Sequence, residues 1–216
     1  MSVLIVDFEE RRRQVRHYLA IVLGLERAAP AGSASFAQER RLLTLRAGTF
    51  LLFYNLIEAS TRAAIEAIHD RIRTDQETFD RLIPCLRKET VRLFKKHAIV
   101  ESHQGLLPGF PSAFVAVAMA ESAVFSGNVD AKVIRELGMT YGFSCVTPPE
   151  TWAGADLVTI KAVRNDLSHG LKTFEEVGRD YPATELLAIS RRSLLYMRCI
   201  LGNVSEYLDE KRYLEA

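Results

Sequence analysis

Helical periodicity with no rival pattern is the feature that most restricts what this chain can fold into. From about Glu39 to Arg73, the positions Leu42, Leu45, Thr49, Leu52, Leu56, Ala59, Ala63 and Ile68 recur three and four residues apart, the spacing that lines one face of an α-helix. A second long pattern runs from Ala183 to about Arg212 through Leu186, Ile189, Leu194, Met197, Ile200, Val204 and Leu208. No segment of any length alternates apolar and polar residues as a half-buried strand does, and no internal repeat is present. The expectation is an all-α single domain of 216 residues, long enough to bury a sizeable core.

Turn-forming residues divide the remainder into further helices. Residues 3–24 read as a first helix ending near Gly24, and Ala28 to Ser35, rich in Ala, Gly, Ser and Pro, reads as a loop. A basic helical region spans Gln76 to His97 with a kink expected at Pro84. Gly105 to Pro111 is a break, followed by a buried helix to Phe125 and a short one from Asp130 to Leu137, with Asp130 and Gly138 as its caps. The next helix has Thr147-Pro148-Pro149-Glu150 as a start signal, Trp152, Ile160, Val163 and Leu167 as a buried stripe, and Gly170 as its stop.

Composition excludes several function classes. A formal net charge of +1 gives no global field toward nucleic acid, so any such contact rests on local patches. Cys85, Cys145 and Cys199 lie far apart without paired spacing, which argues against a disulfide framework or a zinc site; a reducing cytoplasm is the expected setting. The opening run Val3-Leu4-Ile5-Val6 is followed at once by Asp7, Glu9, Glu10 and three arginines, the reverse of a signal peptide's order. The apolar stretch Leu106 to Phe125 is interrupted by Pro108 and Pro111 and carries Glu121, so it reads as core and no membrane partner is expected. Neither a phosphate-binding glycine loop nor a metal-ligand spacing among His17, His69, His97 and His103 is present, so no metal and no cofactor is expected.

The stretch Arg164-Asn165-Asp166-Leu167-Ser168-His169-Gly170 carries the chemistry. An arginine neutralises phosphate charge and a histidine moves protons near neutral pH, which together suffice to cleave a phosphodiester without metal. On an ideal helix Arg164 and His169 stand about 140° apart around the axis. One helix therefore does not aim both at the same phosphate, whereas two copies about a twofold axis bring two of each into one cleft.

These residues resemble the R-x4-H signature of the HEPN superfamily of metal-independent ribonucleases, including the polar residue directly after the arginine. The likeness extends to LVTIKAVRNDLSHGLKTFEEVGRDYPATELL, to the helix ending in KRYL, to SGNVDAKVIRELGMTYGF and to FYNLIEASTR, and so covers most of residues 40–214. The similarity is to HEPN-like nucleases of prokaryotic toxin–antitoxin and defence systems. It implies a single HEPN-like domain over 1–216, with an N-terminal helix and loop at 1–38 and a bundle core at 39–214, dimerising through the motif helix. It further implies that Arg164 polarises the scissile phosphate, that His169 exchanges protons with the ribose 2′-hydroxyl or the leaving 5′-oxygen, and that the product is a 2′,3′-cyclic phosphate. Asn165 and Ser168 would support the pair, and Glu58, on an earlier helix, would fix the arginine's rotamer. Expected partners are RNA, a second copy and a cognate antitoxin or defence-system protein. Some members carry a tyrosine two residues after the histidine that a partner enzyme modifies; here Leu171 stands there, with Tyr181 farther on.

Lys161, one turn before Arg164, and Lys88, Arg92 and Lys95, on one face of the basic helix, are candidate RNA-backbone contacts, against the commoner reading of solvated side chains. Arg11, Arg12, Arg13 and Arg16 form another basic run. Two functions fit: an endoribonuclease with a composite Arg/His site, or a non-catalytic HEPN-like module that dimerises or binds RNA or nucleotides.

Overall fold

The structure, a computed structural model, describes residues 3–28, 35–97, 110–119 and 128–215, with the backbone alone for 96–97 and 110–113. Among the described residues are eight α-helices: α1 Val3–Ala28, α2 Phe36–Thr74, α3 Pro84–His97, α4 Phe110–Ala118, α5 Ala131–Tyr141, α6 Ala155–Ser168, α7 Phe174–Asp180 and α8 Ala183–Asp209. The only extended pairing described is an isolated antiparallel bridge between Leu82 and Leu214. The protein is all-α.

The helices belong to two compact units, and α2 and α8 each contribute to both. The first unit comprises residues 1–60, 128–131 and 147–199. Its core is built from Phe8, Val15 and Val22 of α1, Ala47, Phe50 and Ile57 of α2, Leu157 and Ile160 of α6, and Leu186 and Met197 of α8. Full burial of one such large side chain contributes about 1.5–3 kcal/mol. Glu26 fixes the register here, accepting from Arg46 Nη2 at 2.7 Å and from the Ala183 N–H at 3.2 Å. Gly178 of α7 lies so close to α2 that an added Cβ would sit 2.0 Å from the Leu43 carbonyl oxygen.

The second unit comprises residues 61–127, 132–146 and 200–216. Ile65, Ile68 and Ile72 of α2 are buried there, as are Leu86, Leu93, Tyr141, Val204 and Tyr207. Its interior holds a polar chain. His69 Nε2 meets the Tyr141 hydroxyl at 3.0 Å, that hydroxyl lies 3.4 Å from Glu89, and Arg92 Nε donates to Glu89 at 2.6 Å. At the end of α2, Tyr213, Lys211 and Arg71 converge on Asp75 at 2.6, 2.9 and 3.1 Å. These bonds, the tyrosine's foremost, hold the Asp75 carboxyl down at about 2.

Several boundaries differ from the sequence reading. Helix α1 runs through Gly24, whose absent Cβ would meet nothing within 4 Å, and the 29–34 part of the expected loop lies outside the described residues. Pro84 starts α3 instead of kinking a longer helix, because its missing N–H costs nothing at a first helical position; a 3-10 turn at Phe79–Arg81 precedes it. Gly138 lies inside α5, and Gly142, with φ of +87°, follows the helix end instead. Of the expected stripe on α2, Thr49, Leu56 and Ile68 are buried and Leu42, Leu45, Leu52, Ala59 and Ala63 half-buried, while Leu43, Ala47, Phe50, Phe53, Tyr54 and Ile57 widen the buried face beyond it. Most of the 105–125 readings fall outside the described residues; α4 begins at Phe110 with Pro111 in its first turn. By length and composition α2 could cross a membrane, and 44% of its most apolar window is already buried in the fold.

Gly178→Ala is expected to destabilise the fold by about 1–3 kcal/mol through overpacking, roughly 2–12 °C in Tm, whereas Gly24→Ala raises Tm slightly. Thermal melts of the two variants check both signs. Asp75 has a folded pKa below its unfolded value near 3.8, so its stabilisation is complete above that value and is lost as pH falls through about 2. Asp75→Asn should therefore lower denaturant stability at neutral pH, with the gap closing as pH approaches about 2.

Candidate active site

Helix α6 carries the motif, and its start departs from ordinary capping. The chain enters through a 3-10 turn at Pro149–Gly154 in which Trp152, Ala153 and Gly154 all have left-handed backbone angles. The helix then starts at Ala155 with Gly154 as its N-cap. The expected box at Thr147–Glu150 therefore does not cap it. Thr147 is bonded to the Thr151 hydroxyl at 3.0 Å, and complete capping boxes stand instead at α7, Thr173 with Glu176, and at α2, Ser35 with Gln38. Asp156 in the first turn, where the helix dipole favours a negative charge, receives Arg192 through Nε at 2.5 Å and Nη2 at 3.0 Å.

At the other end Gly170 supplies the stop, as its sequence position suggested. Its φ is +67°, its N–H donates to the Leu167 carbonyl at 3.3 Å, and the Leu171 N–H donates to that of Asp166 at 2.8 Å. This pair of bonds is a Schellman closure, which glycine adopts without the steric cost of a Cβ. His169 is the C-cap residue, and its side chain is exposed.

Between these ends α6 presents three faces. Leu157, Ile160, Val163 and Leu167 are buried, while Trp152, expected in that stripe, is 59% exposed. Ala155, Val158, Ala162 and His169 form an outward stripe at three- and four-residue spacing, interrupted by half-buried Asn165 and Asp166. The third face holds Lys161, Arg164 and Asn165.

The third face closes onto α2 through residues 128–130. Arg164 Cζ sits 4.4 Å over the Tyr54 ring, and its Nη1 donates to Asn165 Oδ1 at 2.9 Å. Asn165 Nδ2 in turn donates to Asn128 Oδ1 at 3.0 Å. The Val129 N–H donates to the Tyr54 hydroxyl at 3.1 Å, and the Asp130 carboxylate accepts from Lys161. Burial, then the charge of Glu58 and a bond to it, push the Tyr54 phenol up, opposed by the Val129 N–H and the Arg164 charge. Arg164 is thus held by a ring face and an amide, with no carboxylate in ion-pair range among the described residues.

The structure therefore brings Arg164, Asn165, Lys161 and Glu58 into one neighbourhood. His169 and Ser168 stand exposed at the C-terminal end of the helix. Lys161 is engaged by Asp130, so its charge is met within the fold. Lys88, Arg92 and Lys95 lie on α3 of the second unit, where Lys88 and Lys95 are exposed and Arg92 forks onto buried Glu89. Arg11, Arg12 and Arg13 pair with Asp7, Glu9 and Glu10 one turn back, the pattern of a solvated helix face. Among the described residues no three His, Cys, Asp or Glu side chains cluster as a metal site would require. Tyr54 and Asn128 were not singled out from sequence. Tyr54 reads as core by periodicity, and Asn128 as one more polar loop residue.

Residues 1–213 match the family described as HEPN_MAE_28990-like HEPN. No curated protein and no solved structure matches the chain.

Tyr54→Leu removes both the ring under Arg164 and the acceptor of the buried Val129 N–H. It should cost about 1–3 kcal/mol of stability and lower any phosphate-dependent function of Arg164. Tyr54→Phe keeps the ring and should retain more of that function at a smaller stability loss. Equal functional losses in the two variants would show that the ring contact does not matter.

Proposed function

The chain belongs to the HEPN_MAE_28990-like HEPN family, and on that premise we propose that it is a metal-independent endoribonuclease whose Arg164 and His169 act together across a homodimer interface. HEPN domains are often ribonucleases; the finer assignment rests on how α6 presents its side chains. The observation that carries it is Arg164: half-buried, oriented by Tyr54 and the Asn165–Asn128 pair, and without a carboxylate to neutralise it among the described residues. A guanidinium so placed is ready for a phosphate, which supplies the missing negative charge.

The outward stripe of α6 supports the dimer. Ala155, Val158 and Ala162 are small or apolar and exposed, and their spacing suits a second helix packed at the 8–10 Å separation of close helix pairs. The same stripe ends at His169, so a twofold copy laid along it contributes a second histidine to the cleft. One His169 then takes the proton of the ribose 2′-hydroxyl while that oxygen attacks phosphorus, and the partner's His169 gives a proton to the departing 5′-oxygen. Arg164 stabilises the charge that builds on the phosphoryl oxygens. The products are a 2′,3′-cyclic phosphate and a free 5′-hydroxyl. A role as a toxin or defence effector held in check by a partner protein fits the family and belongs to the same proposal.

Incubation with total RNA in EDTA tests the reading. The wild type should cleave, and His169→Ala and Arg164→Ala should each lose about 10²–10⁴-fold in rate while sedimenting as dimers. Wild-type rates from His169→Ala would sink the proposal, and loss of the dimer with retained RNA binding would point to a non-catalytic module.

A further inference from the structure

The one tryptophan of the chain stands where packing alone gives no reason for it. Trp152 is 59% exposed, yet its neighbours are fixed. Thr151 is fully buried, and its hydroxyl donates to the Pro148 carbonyl at 2.7 Å. Gly154 is buried too, and a Cβ there would lie 2.8 Å from the Ala131 Cβ and 2.9 Å from the Tyr196 ring. Between these anchors Trp152 (φ 50°, ψ 37°) and Ala153 (φ 48°, ψ 29°) adopt the left-handed region, which residues bearing a Cβ enter only at an energetic cost. The fold thus holds a strained turn whose visible result is an indole turned toward solvent.

The indole is also braced. Arg192 Cζ lies 3.8 Å over its ring, and the same guanidinium is fixed by its two bonds to Asp156, a carboxylate buried in the first turn of α6. One face of the ring rests on an immobilised planar cation, and the residue is nonetheless 59% exposed. A flat aromatic surface held rigid before a ligand arrives spares the ordering cost of binding.

We propose that Trp152, backed by Arg192, is a stacking platform for a nucleobase of single-stranded RNA. The proposal rests on the ribonuclease reading for its choice of ligand, and it adds a binding subsite at the turn that leads into α6. From Ala155 to Arg164 the axis of α6 rises on the order of 14 Å, so a strand engaged at Arg164 need extend only a few nucleotides to reach the indole. Of the charged groups about the ring, Arg192 and Asp156 are bonded to each other, and the Glu185 carboxylate lies 3.9 Å from the same guanidinium. The platform therefore reads a base's π-face instead of its edge and tolerates any sequence.

Because Trp152 is the only indole, its fluorescence reports the site directly. The probe is a short oligodeoxythymidylate, which lacks the 2′-hydroxyl and cannot be cleaved through it. Saturable quenching of the emission is expected, with about tenfold or greater loss of affinity in Trp152→Ala by anisotropy and near-full retention in Trp152→Phe. Circular dichroism melts of both variants show that the fold survives. Absence of quenching, or equal affinity of Trp152→Ala and wild type, overturns the proposal. So does an emission change with protein concentration alone, which would mean that a second copy covers the ring. Quenching by the oligonucleotide without cleavage of total RNA would leave the platform standing and fail the ribonuclease reading instead.

Discussion

The arrangement of the candidate site depends on three consecutive residues, Asn128, Val129 and Asp130, that tie α6 to α2. Each uses a different group: a side-chain amide to Asn165, a backbone N–H to the Tyr54 hydroxyl, and a carboxylate to Lys161. Asn128 takes a left-handed φ of 59°, which asparagine tolerates better than most residues. The geometry of Arg164 follows from this segment, since both of its contacts, the Tyr54 ring and the Asn165 amide, are themselves held by it. A long flexible side chain is thereby aimed without being neutralised. An ion pair would have fixed the rotamer too, at the expense of the charge a phosphate needs.

Helix α6 divides three tasks among three faces. Its buried face docks it in the core, its polar face holds Arg164, and its outward face carries His169 and the small residues proposed to meet a second copy. A Schellman closure at Gly170 satisfies the last carbonyls with backbone N–H groups. The side chain of His169 is then not needed as a cap. At the start, Asp156 and Arg192 occupy the place where a capping box would ordinarily sit.

Legibility from sequence tracked how local each cause is. The long helices were plain, because burial of one face repeats every few residues over many turns. Gly170 was plain too, since a C-terminal glycine acts within its own helix. Pro84 and Gly138 misled because the same residue has opposite meanings at different helix positions: proline starts a helix as readily as it kinks one, and an interior glycine is tolerated where packing holds the turn. Thr173 and Glu176 show the reverse case, a local signal present in the sequence and passed over while a weaker one at Thr147 was taken. Trp152 shares a helical spacing with Ile160, Val163 and Leu167 and so reads as core, and nothing local announces three successive left-handed residues. Tyr54 and Asn128 escaped because their roles exist only after α2, α6 and the 128–130 segment meet, far apart in sequence. Arg164 and His169 stand out from their chemistry and place at a helix end, and the resemblance to a family supplies the preference for a catalytic over a capping role that spacing alone does not.

The contrast between Trp152 and Tyr54 bears on how such a site is maintained. Both are aromatic residues stacked with an arginine, at 3.8 and 4.4 Å. In the Tyr54 pair the ring is buried and serves the arginine, which stays half-buried above it. In the Trp152 pair the arginine is bound to Asp156 and serves the ring. Cation–π contact is symmetric as an attraction, so its direction of use is set by which partner the fold immobilises and which it leaves accessible. Burial of Tyr54 on α2 and fixation of Arg192 on α8 make opposite choices, and that difference separates the arginine proposed to meet a phosphate from the indole proposed to meet a base.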